Sequence, residues 1–196
     1  MTDHMHENAR SYVDSLKAVL DKVDWEAVDR LADVLFDLWL DDRQVLVFGN
    51  GGSACTASYY VADVVKTAAV AGKRPLRALS LVDNTGLMTA VGNDIDYDNT
   101  FSYAINAFAR PGDAAIAISG SGNSPNVVKG CQAAKDHGLR LVCLTGFDGG
   151  QIAQLADLHI NIPSDNYGVI EDIHLSIGHM VTQALKAKVT AKVVVH

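Results

Sequence analysis

Two short runs of glycine, serine and asparagine carry the clearest chemistry in this sequence. The first is Gly49-Asn50-Gly51-Gly52-Ser53-Ala54, directly after the apolar run 44–48, and the second is Ser119-Gly120-Ser121-Gly122-Asn123-Ser124-Pro125-Asn126, after the run 114–118. Glycine lets a backbone take positive φ and approach a ligand closely. A helix that begins at such a turn offers its first N–H groups to an anion. Ser53 and Ser124 also suit plain helix capping, with Pro125 as the first helical residue. Capping leaves Ser119 and Ser121 unexplained. Hydroxyls and amides gathered at a helix start, with little side-chain bulk, suit the dianion of a phosphate monoester. Gly51, Gly52, Ser53, Ser119, Gly120, Ser121 and Ser124 are therefore candidate phosphate-binding residues. The spacing of Gly49, Gly51 and Ala54 also fits the dinucleotide fingerprint, which requires an acidic residue at the end of the second strand, about 20 residues on. The nearest acid past that strand is Asp83, too late in the chain, so a dehydrogenase is disfavoured.

Three further positions stand out. Asp63 lies among Val61, Ala62, Val64 and Val65, where a lone carboxylate costs roughly several kcal/mol unless paired or hydrated. Tyr59 and Asp63 share a helix face, as do Glu171 and His174. His174 and His179 point about 140° apart on one helix, so one of them faces away from any site; His174 is read as the partner of a neighbouring carboxylate. His4, His6, His137, His159 and His196 read as surface or turn residues, and Tyr60 as a core or interface aromatic.

The elements that must hold these groups follow from periodicity. Residues 6–41 repeat apolar side chains at helical spacing (Tyr12, Leu16, Val19, Leu20, Val23, then Val28, Leu31, Leu35, Leu38), with Asp24 as a cap between two helices. This arm packs on its own domain or on a second subunit. From residue 44 onward, short apolar runs at 44–48, 76–79, 114–118, 139–144 and 159–162 alternate with helical segments at 53–70, 85–92, 97–108, 124–137, 149–155 and 168–187. That alternation implies a five-stranded parallel sheet covered by helices on both faces. The tail 189–196 alternates like a small edge strand or a frayed extension. One domain is expected over 1–196, with the arm at 1–42, an α/β core at 43–187 and a tail at 188–196.

The balance of 16 Lys and Arg against 23 Asp and Glu gives a net charge of −7. A binder of nucleic-acid phosphates normally displays a basic patch, and none is present. No apolar run reaches the ~18 residues of a membrane span. Cys55, Cys131 and Cys143 lie in apolar segments without metal-ligand spacing and read as buried thiols of a reducing compartment. The N-terminus is polar and acidic, with no export signal, so a cytoplasmic chain is expected.

Five motifs in collinear order, Phe48-Gly-Asn-Gly-Gly-Ser-Ala-Cys55, Val91-Gly-Asn-Asp94, Ile118-Ser-Gly-Ser-Gly-Asn-Ser124, Leu144-Thr-Gly-Phe-Asp-Gly-Gly150 and Ile173-His174, together resemble the sugar-isomerase (SIS) domain family. The likeness runs over about residues 6–187 and is strongest to the phosphoheptose isomerases. It implies a flavodoxin-like three-layer α/β/α sandwich and a homotetramer with active sites between subunits. It also implies aldose–ketose isomerisation of sedoheptulose 7-phosphate through an enediolate. Asn50 and Asp94 are implied to touch the sugar, Asp63 to be the base, His179 the acid, and Glu171 to assist. In the resembled enzymes the positions of Tyr59, Asp63, Glu171 and His179 can bind zinc; here only the histidine matches in identity. Asp63, Glu171 and His179 remain the metal candidates and zinc the cofactor to test. The other reading is a non-catalytic SIS protein, a phosphosugar sensor or an adaptor of the replication-initiator-binding type.

Overall fold

The computed structural model describes the backbone of residues 2–194 and the side chains of residues 8–192. His4, His6 and His196 therefore lie outside the described side chains. The chain opens with α1 (Thr2–Leu20) and α2 (Trp25–Leu40). Asp24 caps α2, its carboxylate accepting from the Ala27 amide at 3.0 Å, which satisfies one of the free donors of the first turn. Ala27, Val28, Leu31, Ala32, Leu35 and Leu38 of α2 are buried. The arm thus packs on its own domain, and each large side chain covered this way contributes about 1.5–3 kcal/mol. Tyr12 ties α1 to the last helix by donating to Asp172 at 2.6 Å. That bond, with burial and the nearby Asp172 and Glu171 charges adding to it, pushes the phenol pKa up to about 12.

Five parallel strands follow: β1 (Gln44–Gly49), β2 (Arg77–Ser80), β3 (Ala114–Ser119), β4 (Arg140–Thr145) and β5 (Leu158–Asn161), in the order β2-β1-β3-β4-β5. The central strands are apolar throughout because both faces are covered. Val45, Val47, Ile116, Ile118, Val142 and Leu144 point to one core, shared with α2 and with residues of the first and last core helices. Leu46, Phe48, Ala115, Ala117, Leu141 and Cys143 point to the other, shared with Phe101, Ile105, Val127 and Cys131. The connecting elements are α3 (Gly52–Ala62) with a π turn (Asp63–Thr67), α4 (Thr85–Asp94), a 3-10 turn (Tyr97–Asn99), α5 (Thr100–Phe108), α6 (Pro125–Asp136), α7 (Gly150–Ala153) and α8 (Tyr167–Val194).

The strand order reverses at β1. The chain leaves β1 through α3 on one face and leaves β3 through α6 on the other, which opens a crevice beyond the carboxyl ends of these neighbours. Gly49 lies in register with Ile118, so the two serine-bearing turns start at the same level.

Three expectations need correction. The tail does not form an edge strand: α8 continues through Val194, because Leu185 and Val189 stay buried on its inner face. Cys131 and Cys143 are buried as expected, but Cys55 is exposed on the outer side of α3. His159 is half-buried on β5, its Nε2 2.7 Å from the Thr145 hydroxyl, and burial pulls its pKa down. No helix among the described residues is long and apolar enough to cross a membrane.

Candidate active site

Both glycine–serine turns line one pocket. Asn50, Gly51, Gly52, Ser53, Ser119, Gly120, Ser121, Ser124, Tyr167 and Glu171 enclose about 230 Å³ at the β1/β3 crevice. Gly51 holds a φ of +54° with no atom near the side-chain position it lacks, a backbone state natural to glycine. Ser119 accepts from the Gly122 amide at 3.2 Å, and Ser121 accepts from the Asn123 amide at 3.3 Å. Both hydroxyl protons thus stay free to donate. Ser124 stands at the N-cap of α6 without a capping bond from its side chain. The pocket contains no Lys or Arg; its donors are hydroxyls and the amides of two helix starts.

Asn50 clamps the two turns together. Its amide donates to Asn126 Oδ1 at 2.7 Å and its oxygen accepts from Asn126 Nδ2 at 2.9 Å and from the Tyr97 hydroxyl at 3.0 Å. Its reach toward a sugar is therefore limited to the one remaining N–H. Tyr167 forms another wall; a Cβ on Gly120 would stand 2.9 Å from its ring. Behind the pocket, the Gly146 amide donates to the Gly120 carbonyl at 2.8 Å. The end of β4 is held in turn by His174, whose Nε2–H reaches the Thr145 carbonyl at 3.1 Å. His174 is fully buried. That burial holds its pKa down to about 4, against the opposing pull of the Thr145 carbonyl. Its partner is thus a backbone carbonyl and not the carboxylate expected from sequence.

Glu171 enters the pocket from just past the first turn of α8. A Cβ on Gly52 would fall 2.6 Å from the Glu171 carboxyl carbon, so only glycine leaves this carboxylate room at the start of α3. A phosphate and a carboxylate repel at such range. The phosphate is therefore best served at the Ser119–Ser124 side, leaving Glu171 to face hydroxyl groups.

Further along the same two helices, Asp63 and His179 meet. His179 Nδ1 lies 3.0 Å from Asp63 Oδ2, and the Thr67 hydroxyl donates to Asp63 Oδ1 at 3.0 Å across the π turn. Asp63 is 13% exposed and His179 44% exposed in their side chains. Tyr59 meets the imidazole edge-on, with ring centroids 5.1 Å apart. The neighbouring Tyr60 is buried, as its apolar setting suggests, and donates to the His174 carbonyl at 2.8 Å. A Cβ on Gly178 would collide with the Tyr60 ring; glycine here lets α3 and α8 approach closely enough for the pair to form. Glu171 and His179 are separated by about 12 Å of helix rise, and helix side chains tilt toward the N-terminus, which carries both members of the pair back toward the pocket.

Two sequence-derived assignments change. Asp94 does not line the pocket; it is exposed at the end of α4 and accepts from Asn93 at 2.8 Å. Glu171 does not join Asp63 and His179, so the three metal candidates do not share one site. Among the described residues no three His, Cys, Asp or Glu side chains converge on a point where a metal ion would sit. Tyr59 brings a ring edge where the resembled zinc site has imidazole, and Asp63 and His179 are engaged with each other. The residues present do not fit that zinc site. Thr67, Tyr97, Asn126 and Tyr167 were not singled out from sequence. Of these, only Thr67 had a local signal, its i+4 spacing from Asp63.

Comparison with known proteins agrees with this fold. The SIS domain family matches residues 11–146. A probable phosphoheptose isomerase of Thermoplasma acidophilum is 34% identical over 181 residues, which is 92% of this chain and 99% of the relative. A phosphoheptose isomerase of Geotalea daltonii is 36% identical over 187 residues, 94% of this chain and 97% of the relative. Among solved structures, phosphoheptose isomerase from Neisseria gonorrhoeae superposes with a TM-score of 0.87 at 28% identity, covering 93% of this chain and 99% of that one.

Proposed function

The chain belongs to the SIS domain family, and on that premise we propose that it is an aldose–ketose isomerase that interconverts sedoheptulose 7-phosphate and an aldoheptose 7-phosphate. The observation that carries the reading is the layout of α3 and α8: both helices begin at the serine-lined pocket, and Asp63 and His179 meet farther along them, His179 about 12 Å of helix rise beyond Glu171. An extended seven-carbon chain spans on the order of 10 Å from its phosphorus to C1, given carbon–carbon bonds near 1.5 Å. Phosphate in the pocket, with the chain running past Glu171, directs C1 and C2 toward the pair.

The reaction removes a proton from the carbon next to the carbonyl, passes through an enediolate, and returns a proton to the adjacent carbon. Ser53, Ser119, Ser121 and Ser124 hold the phosphate. Glu171 faces the sugar hydroxyls, and the Asp63–His179 pair handles the proton. No step is routed through zinc, because the donors do not assemble a site for it. The substrate is an anion confined to the cell interior, so the enzyme is assigned to the cytoplasm. It is also assigned as a homotetramer, supported by the exposed Tyr59 and Met180 flanking His179.

The spacing also sets substrate length. In a panel of ketose phosphates from four to seven carbons, kcat/KM is expected to fall as the chain shortens. Faster turnover of a four- or five-carbon substrate would overturn the assignment.

A further inference from the structure

We propose that the Tyr167 ring, braced by Phe147, is a specificity-determining partition that restricts the serine-lined pocket to terminal phosphate monoesters. This rests on the placement of phosphate in that pocket above. A second, larger cavity adjoins the first, and Ser121 and Tyr167 line both. On the pocket side, Tyr167 Cε1 would stand 2.9 Å from a Cβ on Gly120, so the ring lies directly on the Gly120 backbone. On the far side the ring meets Phe147 edge-on, with centroids 5.0 Å apart. The serine-lined space measures about 230 Å³ and the larger one about 990 Å³. Sites that hold a drug-sized ligand run from roughly 300 to 1,000 Å³, so the first has room for little beyond a terminal phosphate. Tyr167 closes the short way from there into a space large enough for a second group on phosphorus.

Phe147 is held where a bulky residue rarely sits. Its φ is +49°, in the left-handed region that favours glycine. Two neighbours fix it there: its amide donates to the Ser164 carbonyl at 2.9 Å, and the Asn161 side-chain amide donates to its carbonyl at 3.2 Å. Such outliers persist only where the surroundings over-determine them, and they cluster at ligand clamps. Charge acts in the same direction as the ring. Asp148 and Asp165 line the larger cavity, with no Lys or Arg among its lining residues, so a second anionic group is repelled from it. A monoester needs one exit, along α3 and α8 toward Asp63 and His179. A diester needs a second, and the Tyr167 ring stands in it. A clash of this kind rejects the wrong ligand without adding contacts to the right one.

Titration calorimetry on the full chain tests this with two ligands: a heptitol 7-phosphate, which lacks a carbonyl and cannot turn over, and its phenyl phosphodiester. Wild-type protein is expected to bind the monoester and to bind the diester at least about tenfold more weakly. Tyr167→Ala leaves a hole that the phenyl group fills, so its affinity for the diester is expected to exceed that of wild type by at least about tenfold, with monoester binding retained. Tyr167→Phe is expected to match wild type, because ring carbons and not the hydroxyl make both contacts. Phe147→Gly removes the brace while suiting the left-handed backbone, and is expected to relax the same discrimination; it decides the matter if Tyr167→Ala does not fold. A diester bound by wild type within tenfold of the monoester would overturn the partition. So would a Tyr167→Ala variant that binds the monoester but gains less than tenfold for the diester. Either result leaves the phosphate placement standing, whereas a monoester that fails to bind wild type removes both.

Discussion

Among the described residues the Ser119 hydroxyl has a single partner, the Gly122 amide, which leaves its proton free. Removing the hydroxyl costs a charge-assisted hydrogen bond to phosphate, worth roughly 1.5–3 kcal/mol. Ser119→Ala is therefore expected to raise KM for a sugar phosphate about 10–100-fold while kcat changes little, measured by steady-state kinetics. An unchanged KM would place the phosphate elsewhere. This residue was legible in the sequence because it stood beyond what capping required. Asn126 and Tyr97 were not legible as clamps, since they reach Asn50 across 76 and 47 residues. Asp94 is the opposite case: its motif resembles a family pattern, and in the single chain it stands exposed beside Asn93, outside the pocket lining. Asp63 was legible as a carboxylate in need of a partner, and His179 is that partner.

At the scale of elements, β4 and α8 form a brace behind the pocket. His174 joins them, and its burial couples the brace to pH. The unfolded chain protonates this histidine near pH 6.5, while the folded chain keeps it neutral to about pH 4. Between those values the unfolded state holds the extra proton, so its contribution is intact above pH 6.5 and fades as acid is added. The loss is complete near pH 4 and amounts to about 3 kcal/mol. Urea unfolding at pH 7.5 and pH 5 checks this: wild type is expected to lose stability over that interval, and His174→Asn to lose markedly less. Equal slopes would mean that His174 is not the buried neutral group. The five strands were readable from short apolar runs, and the two loop-borne helix starts from the glycines that follow β1 and β3. The end of α8 was not, because the apolar alternation of the tail suits a strand as well as a helix, and only Leu185 and Val189 packing inward decides it.

For the whole molecule, alternation of strands and helices fixed the fold class, and the reversal at β1 explains why both serine turns face one crevice. Assembly is less visible in a single chain. Tyr59, Met180, Ile95 and Tyr97 remain exposed around the site, and large apolar side chains gathered beside a site favour cover by another surface. Light scattering is expected to give about four times the 20.9 kDa chain mass; a monomer at working concentration would mean that each chain completes its site alone. The measurement closest to the central claim is incubation of the purified chain with sedoheptulose 7-phosphate in deuterated water, followed by 13C and 1H NMR. The account predicts a new aldoheptose 7-phosphate signal with deuterium at C1 or C2. Thermal stabilisation by the sugar phosphate with no product and no deuterium entry would contradict it and leave a binding protein in place of an enzyme.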